Sequence, residues 1–69
     1  MQHGTVRWFN EAKGYGYIAQ NNGEDVFVHF SVIEMDGYKS LQAGQQVAFD
    51  CVAGEKGLLA TRVTLNWTD

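Results

Sequence analysis

Apolar positions in this chain recur with a period of two, not with the 3.6-residue spacing of a helix, so strands are the elements to look for. The clearest run is KGYGYI, residues 13–18, where Tyr15 and Tyr17 leave one face and Gly16 and Ile18 the other. The pattern returns in VFVHF, residues 26–30, where Val26 and Val28 alternate with Phe27 and His29. TVRWFN, residues 5–10, is a third run rich in β-branched and aromatic residues, separated from the first by the loop EAKG. Between the tyrosine and phenylalanine runs lies Asn22-Gly23, a strong hairpin signal, so these three strands should form an antiparallel meander.

After Phe30 the pattern breaks. SVIEMDGYKSLQAGQ begins with Ser31, a possible helix cap, but reaches Gly37 too soon for more than one helical turn before a long loop. QVAFDCV then alternates Val47, Phe49 and Cys51 with Ala48, Asp50 and Val52, and a turn AGEKG leads to LLATRVTL. Gly14, Gly37, Gly44, Gly54 and Gly57 read as turn residues. Five short strands with a long connection after the third suit a small barrel of the OB type within one domain, residues 1–69, with an SH3-like barrel as the competing architecture.

The choice of inward face decides the function. Burying Tyr15 and Tyr17 would push Ile18, Val26 and Val28 into solvent, because a one-residue slip reverses every side chain. The aliphatics make the better core, which is expected to contain Val6, Ile18, Val26, Val28, Ile33 and Val47. Tyr15, Tyr17, Phe27 and His29 are then left together on an open face. Contiguous patches of this kind mark binding sites. Each unpaired base has a π-face that gains about 1–3 kcal/mol on an aromatic ring. Gly16 gives the neighbouring strand room beneath the rings. A second packing layer, or another copy of the protein, would also cover such a face, and the pattern leaves those alternatives open.

Trp8 is assigned to the binding face. Period two would place it with Val6, so a bulge or strong twist in the first strand is needed to separate them. Phe9 is assigned to neither face, while Phe30 and Tyr38 flank the patch. Arg7, Lys13, Lys39, Lys56 and Arg62 are candidate phosphate partners. Three such contacts would weaken binding about twentyfold over a fourfold rise in salt, at about −0.7 in slope per phosphate, so stacking would supply most of the affinity. Asp25 is read as a cap for the turn after Gly23, and His29 as a stacking or hydrogen-bonding residue.

Composition both permits and constrains this reading. The chain of 69 residues has 45% hydrophobic and 13% aromatic residues, enough for a compact core, with 8 glycines and no proline. The net charge of −3, from 5 Lys+Arg against 8 Asp+Glu, repels a polyanion at long range; within a Debye length of about 8–10 Å the local arrangement of charge matters more. One cysteine, Cys51, cannot close an intrachain disulfide. Neither a signal segment nor an apolar run of bilayer-spanning length is visible, which points to a cytoplasmic protein. No cofactor or metal is expected, since no histidine, cysteine or carboxylate spacing matches a ligand set. Enzymatic activity is not expected either.

KGYGYI and VFVHF, preceded by VRWFN and followed by GYKSL, resemble the cold-shock domain over nearly the whole chain, with that family's two ribonucleoprotein motifs in its own order. The RNA recognition motif has similar aromatics but the opposite order and two amphipathic helices. The resemblance implies an all-β, five-stranded antiparallel OB barrel that binds single-stranded RNA and DNA, pyrimidine-rich strands preferentially, and acts as an RNA chaperone that melts secondary structure. Support of transcription antitermination or of translation in the cold would follow, with the protein expected as a monomer and a dimer as the alternative. It places the binding residues at Arg7, Trp8, Lys13, Tyr15, Tyr17, Phe27, His29, Phe30 and Tyr38, with Lys39 beside them. Leu58, Leu59 and Arg62 depart from the family's usual Pro, Gln and Asn, and Gln20 from a frequent Pro. These departures bear on the last hairpin, where Leu58 is an apolar spot for self-association. The alternative function is a protein-interaction or dimerisation module using the same aromatic face.

Overall fold

A computed structural model describes residues 2–34 and 40–65. Its strands are β1 (Gln2–Asn10), β2 (Tyr15–Gln20), β3 (Asp25–His29), the two-residue β4 (Ile33–Glu34), β5 (Gln46–Gly54) and β6 (Gly57–Thr64), with a 3-10 turn over Phe30–Val32. The hydrogen-bonded order is β3-β2-β1-β5-β6-β4, and a further β3–β6 pairing closes β1, β2, β3, β5 and β6 into a five-stranded OB-type barrel.

The barrel is mixed where an antiparallel one was expected. Neighbours alternate in direction from β3 through β2, β1 and β5 to β6, but a ring with an odd number of strands cannot alternate all the way round. One pair must run parallel, and it is β3–β6, through Val26↔Leu58 and Phe27↔Leu59. The short β4 also joins β6 in parallel.

Inward positions are mostly aliphatic. Val6, Ile18, Val26, Val28, Ile33 and Val47 are all at most 1% exposed, as the alternation requires. Leu41, Phe49, Ala60 and Val63 complete the cluster, and Phe49 is the largest fully buried side chain. Phe49 sits two residues from Val47 on the same face of β5, so it belongs to the core by the same rule. β1 begins earlier than its β-branched run suggests, because Gln2–Thr5 pair with Phe49–Gln46 of β5 and join the two halves of the barrel.

Local chemistry sets the turns. In the β2–β3 hairpin Gly23 donates its N–H to the Gln20 carbonyl at 3.0 Å and takes φ 90°, the left-handed position of a three-residue loop. The cap there is Asn22, whose side-chain oxygen accepts the Glu24 N–H at 3.0 Å. Asp25, expected to cap this turn, instead opens β3 and turns outward. Gly54 and Gly57 are likewise not in the turn but pair with each other as the last residue of β5 and the first of β6. After β3, His29 rather than Ser31 caps the single 3-10 turn, its ring nitrogen accepting the Ser31 N–H.

Candidate nucleic-acid interface

The aromatic face is built by a fault in the β1–β2 ladder. Val6 pairs with Ile18, but Trp8 pairs with Tyr17, so β1 contributes one extra residue, Arg7, between two pairs. The bulge reverses the alternation after Val6. Val6 therefore stays in the core while Trp8, 43% exposed, joins the tyrosines outside. Phe9 falls on the inner side opposite Gly16 and packs partly buried against the core. Gly16 is required by this crossing: a Cβ there would lie 2.2 Å from the Trp8 carbonyl oxygen and 2.8 Å from the Phe9 Cα.

Register assembles the rest. Tyr17 faces Phe27 and Tyr15 faces His29 across β2–β3. Ring centroids are 5.7 Å apart for Trp8–Tyr15, 5.5 Å for Trp8–Tyr17, 5.7 Å for Tyr15–Phe27 and 5.6 Å for Tyr17–Phe27. Edge-to-face and tilted contacts of this kind each add about 0.5–1.5 kcal/mol beyond area burial, so four rings hold one another in place before any ligand arrives. His29 packs against Phe30 with ring centroids 4.6 Å apart and planes tilted by 41°, and Phe30 is 45% exposed. The His29 Nδ1 accepts the Ser31 N–H and lies 2.9 Å from its hydroxyl oxygen, which fixes the ring beside the 3-10 turn. Phe30 is positioned by Gly14, whose carbonyl accepts the Phe30 N–H at 2.8 Å. Gly14 has φ 78°, and a Cβ there would come within 2.6 Å of the Phe30 ring.

The cations differ in how free they are. Arg7 is bonded through Nε to the Asp25 carboxylate at 2.5 Å, and Arg62 to Glu34 at 2.8 Å. Lys13 and Lys56 are exposed and take no ion pair among the described residues. Lys13 sits at the end of the β1–β2 turn, where its backbone N–H donates to the Asn10 side chain. Lys56 lies in the β5–β6 turn beside a groove lined by Tyr17, Asp25, Phe27 and Leu59. Tyr38 and Lys39 lie outside the described residues.

Trp8, Tyr15, Tyr17, Phe27, His29 and Phe30 thus come together, with Arg7 and Lys13 on the strand and turn that carry Trp8 and Tyr15. Sequence reasoning missed two features. One is the Arg7–Asp25 pair, invisible while Asp25 was read as a turn cap. The other is Leu59: Leu58 is the half-buried member of the pair and packs against the core, whereas Leu59 is the one in solvent, 40% exposed. Continuing the alternation back from Ala60 would have found it.

A family model described as 'Cold-shock' DNA-binding domain matches residues 2–66. The chain is 56% identical over 63 residues to cold shock protein CspC of Bacillus subtilis (strain 168), covering 91% of this chain and 96% of that one. It is 54% identical over 66 residues to cold shock-like protein CspD of Bacillus cereus, covering 96% of this chain and 100% of that one. With the major cold shock protein of Streptococcus pyogenes serotype M18 it shares 52% over 64 residues, 93% of this chain and 96% of the relative. Two motif strands in register, a bulge that turns Trp8 outward and a match over almost the full chain agree: the chain belongs to the cold-shock domain family.

Proposed function

We propose that this protein is a non-enzymatic, cytoplasmic binder of single-stranded RNA and DNA, favouring pyrimidine-rich strands, that acts as an RNA chaperone supporting transcription antitermination or translation in the cold. The observation that carries the reading is the solvent-facing set of rings Trp8, Tyr15, Tyr17 and Phe27, extended by His29 and Phe30. Neighbouring centroids stand 5.5–5.7 Å apart, wider than the roughly 3.4 Å rise per nucleotide of a duplex strand. A strand can place successive bases on successive rings only after it has been stretched out of its own stack. Binding energy is therefore available to unpaired strands and not to helices, which is what melts secondary structure. Lys13, Lys39 and Lys56 follow the phosphates, with Arg7 held back by the Asp25 carboxylate, while the other positions supply faces for bases with little regard to sequence.

The test uses a Trp67→Phe variant, so that Trp8 alone reports. Titration with a thymidine-rich oligonucleotide at low salt should quench its fluorescence, and the protein should lower the melting temperature of a weak RNA hairpin by an amount that grows with the logarithm of its concentration above the dissociation constant. Absence of binding at low salt would end the proposal. Binding with no effect on the hairpin would remove the chaperone activity and leave the binding.

A further inference from the structure

We infer that the outer face of the β5–β6 hairpin carries a subsite for a 5-methylpyrimidine, built on Leu59 and Val52; this rests on the single-strand reading above and refines it. Cross-strand register shows the arrangement. Trp8 pairs with Tyr17, Tyr17 with Phe27, Phe27 with Leu59, and Leu59 with Val52. Ladder partners present their side chains on the same face. A single row therefore crosses all the barrel's long strands, with three rings followed by two aliphatic side chains. Leu59 is 40% and Val52 51% exposed, while their neighbour Ala60 is buried. Single apolar residues are ordinary on a surface, but an unbroken row continuing an aromatic face is not.

The chemistry at the end of the row differs from that at its start. Leu59 has neither a flat face nor a hydrogen-bonding group, so it cannot read the edge of a base, and it stacks poorly. It can pack against a methyl group, the apolar feature that marks thymine. Leu59 lines one groove with Phe27, Tyr17 and Lys56, so a base leaning from the Phe27 ring meets Leu59 with its edge while the Lys56 ammonium lies within the same groove for the phosphate. Continuity with the rings favours the same strand as occupant over a second protein, and among the described residues Lys56 is the one cation in a groove that Asp25 and Glu55 also line. Uracil and cytosine, bearing hydrogen at C5, leave the aliphatic pair uncovered. One buried methyl-sized group corresponds to about a fourfold difference in affinity, about 0.8 kcal/mol.

The experiment compares thymidine and deoxyuridine heptamers, which differ only in that methyl, by titrating each against the wild type, L59Q and L59M. The deoxyuridine-to-thymidine ratio of dissociation constants should fall about fourfold in L59Q and be retained in L59M. L59S gives the same readout if L59Q does not fold, as checked by thermal melting. A ratio unchanged by the loss of Leu59, with both heptamers still bound, overturns this inference alone. Failure of the wild type to bind either heptamer overturns the single-strand reading and this inference with it. A wild-type dimer in sedimentation that L59Q converts to monomer would assign the row to a second copy and overturn the subsite.

Discussion

Replacing Asp25 with Asn should make binding more sensitive to salt, although no cation is added. In the native protein the Arg7 guanidinium is held by the Asp25 carboxylate at 2.5 Å, with the two side chains 50% and 43% exposed. At that exposure the pair contributes no more than about 1 kcal/mol to folding, so D25N should melt no more than about 4–8 °C below the wild type. Its effect on binding is larger in kind. A phosphate that approaches Arg7 must displace an intramolecular partner, whereas Lys13 and Lys56 have none among the described residues to displace. Freeing Arg7 lets it neutralise one more phosphate, which steepens the log–log salt slope by about 0.7 and adds about 2.6-fold to the weakening seen over a fourfold rise in salt. Fluorescence titration at four or more salt concentrations measures this directly. R7A should leave the slope near the wild-type value, and D25N should have little further effect in the R7A background. A slope that steepens equally in D25N and in R7A/D25N would refute the reasoning, because the change would then come from removing a repulsive carboxylate and not from releasing Arg7.

Phe27→Ala should weaken oligonucleotide binding by roughly 5- to 150-fold, the loss of about 1–3 kcal/mol of stacking, while a melting curve shows a cooperative transition. Phe49→Ala, in contrast, empties the centre of the core, where the ring is 0% exposed, and should cost about 3–5 kcal/mol in denaturant titration. In a domain this small that is a large fraction of the total stability. Gly14→Ala should be destabilising by at least about 1 kcal/mol, given φ 78° and the 2.6 Å approach to Phe30, and should weaken binding as Phe30 is displaced, readable by the same melting and titration assays.

Strand alternation is legible wherever two residue classes are sorted cleanly. Tyr15-Gly16-Tyr17-Ile18 and Val26-Phe27-Val28-His29 could be assigned to faces because burying the rings would expose Ile18 and both valines. The need for a bulge near Trp8 was legible for a related reason: Val6 and Trp8 have incompatible preferences at positions of the same parity. Arg7 as the extra residue was not, because a bulge site depends on the partner strand. Asp25 and Leu59 escaped for lack of a local contrast. A carboxylate two residues after Gly23 fits a turn as well as an ion pair, and nothing in residues 5–10 announces that Arg7 lies across from it. Leu58 and Leu59 are identical letters, so only the register inherited from Ala60 tells which one enters the core. The parallel closure of β3 against β6 is a property of the whole ring and of no segment.

The central claim is that the rings on β1, β2 and β3 hold unpaired bases on their outer faces. Amide chemical-shift mapping of the isotope-labelled protein, titrated with a short pyrimidine oligonucleotide, tests it most directly. The account predicts that the largest shifts fall on residues 8–10, 15–17 and 27–31, with the Arg62–Glu34 side of the barrel little changed. Shifts concentrated around Glu34 and Arg62, with the Trp8, Tyr17 and Phe27 amides unmoved at saturation, would contradict it.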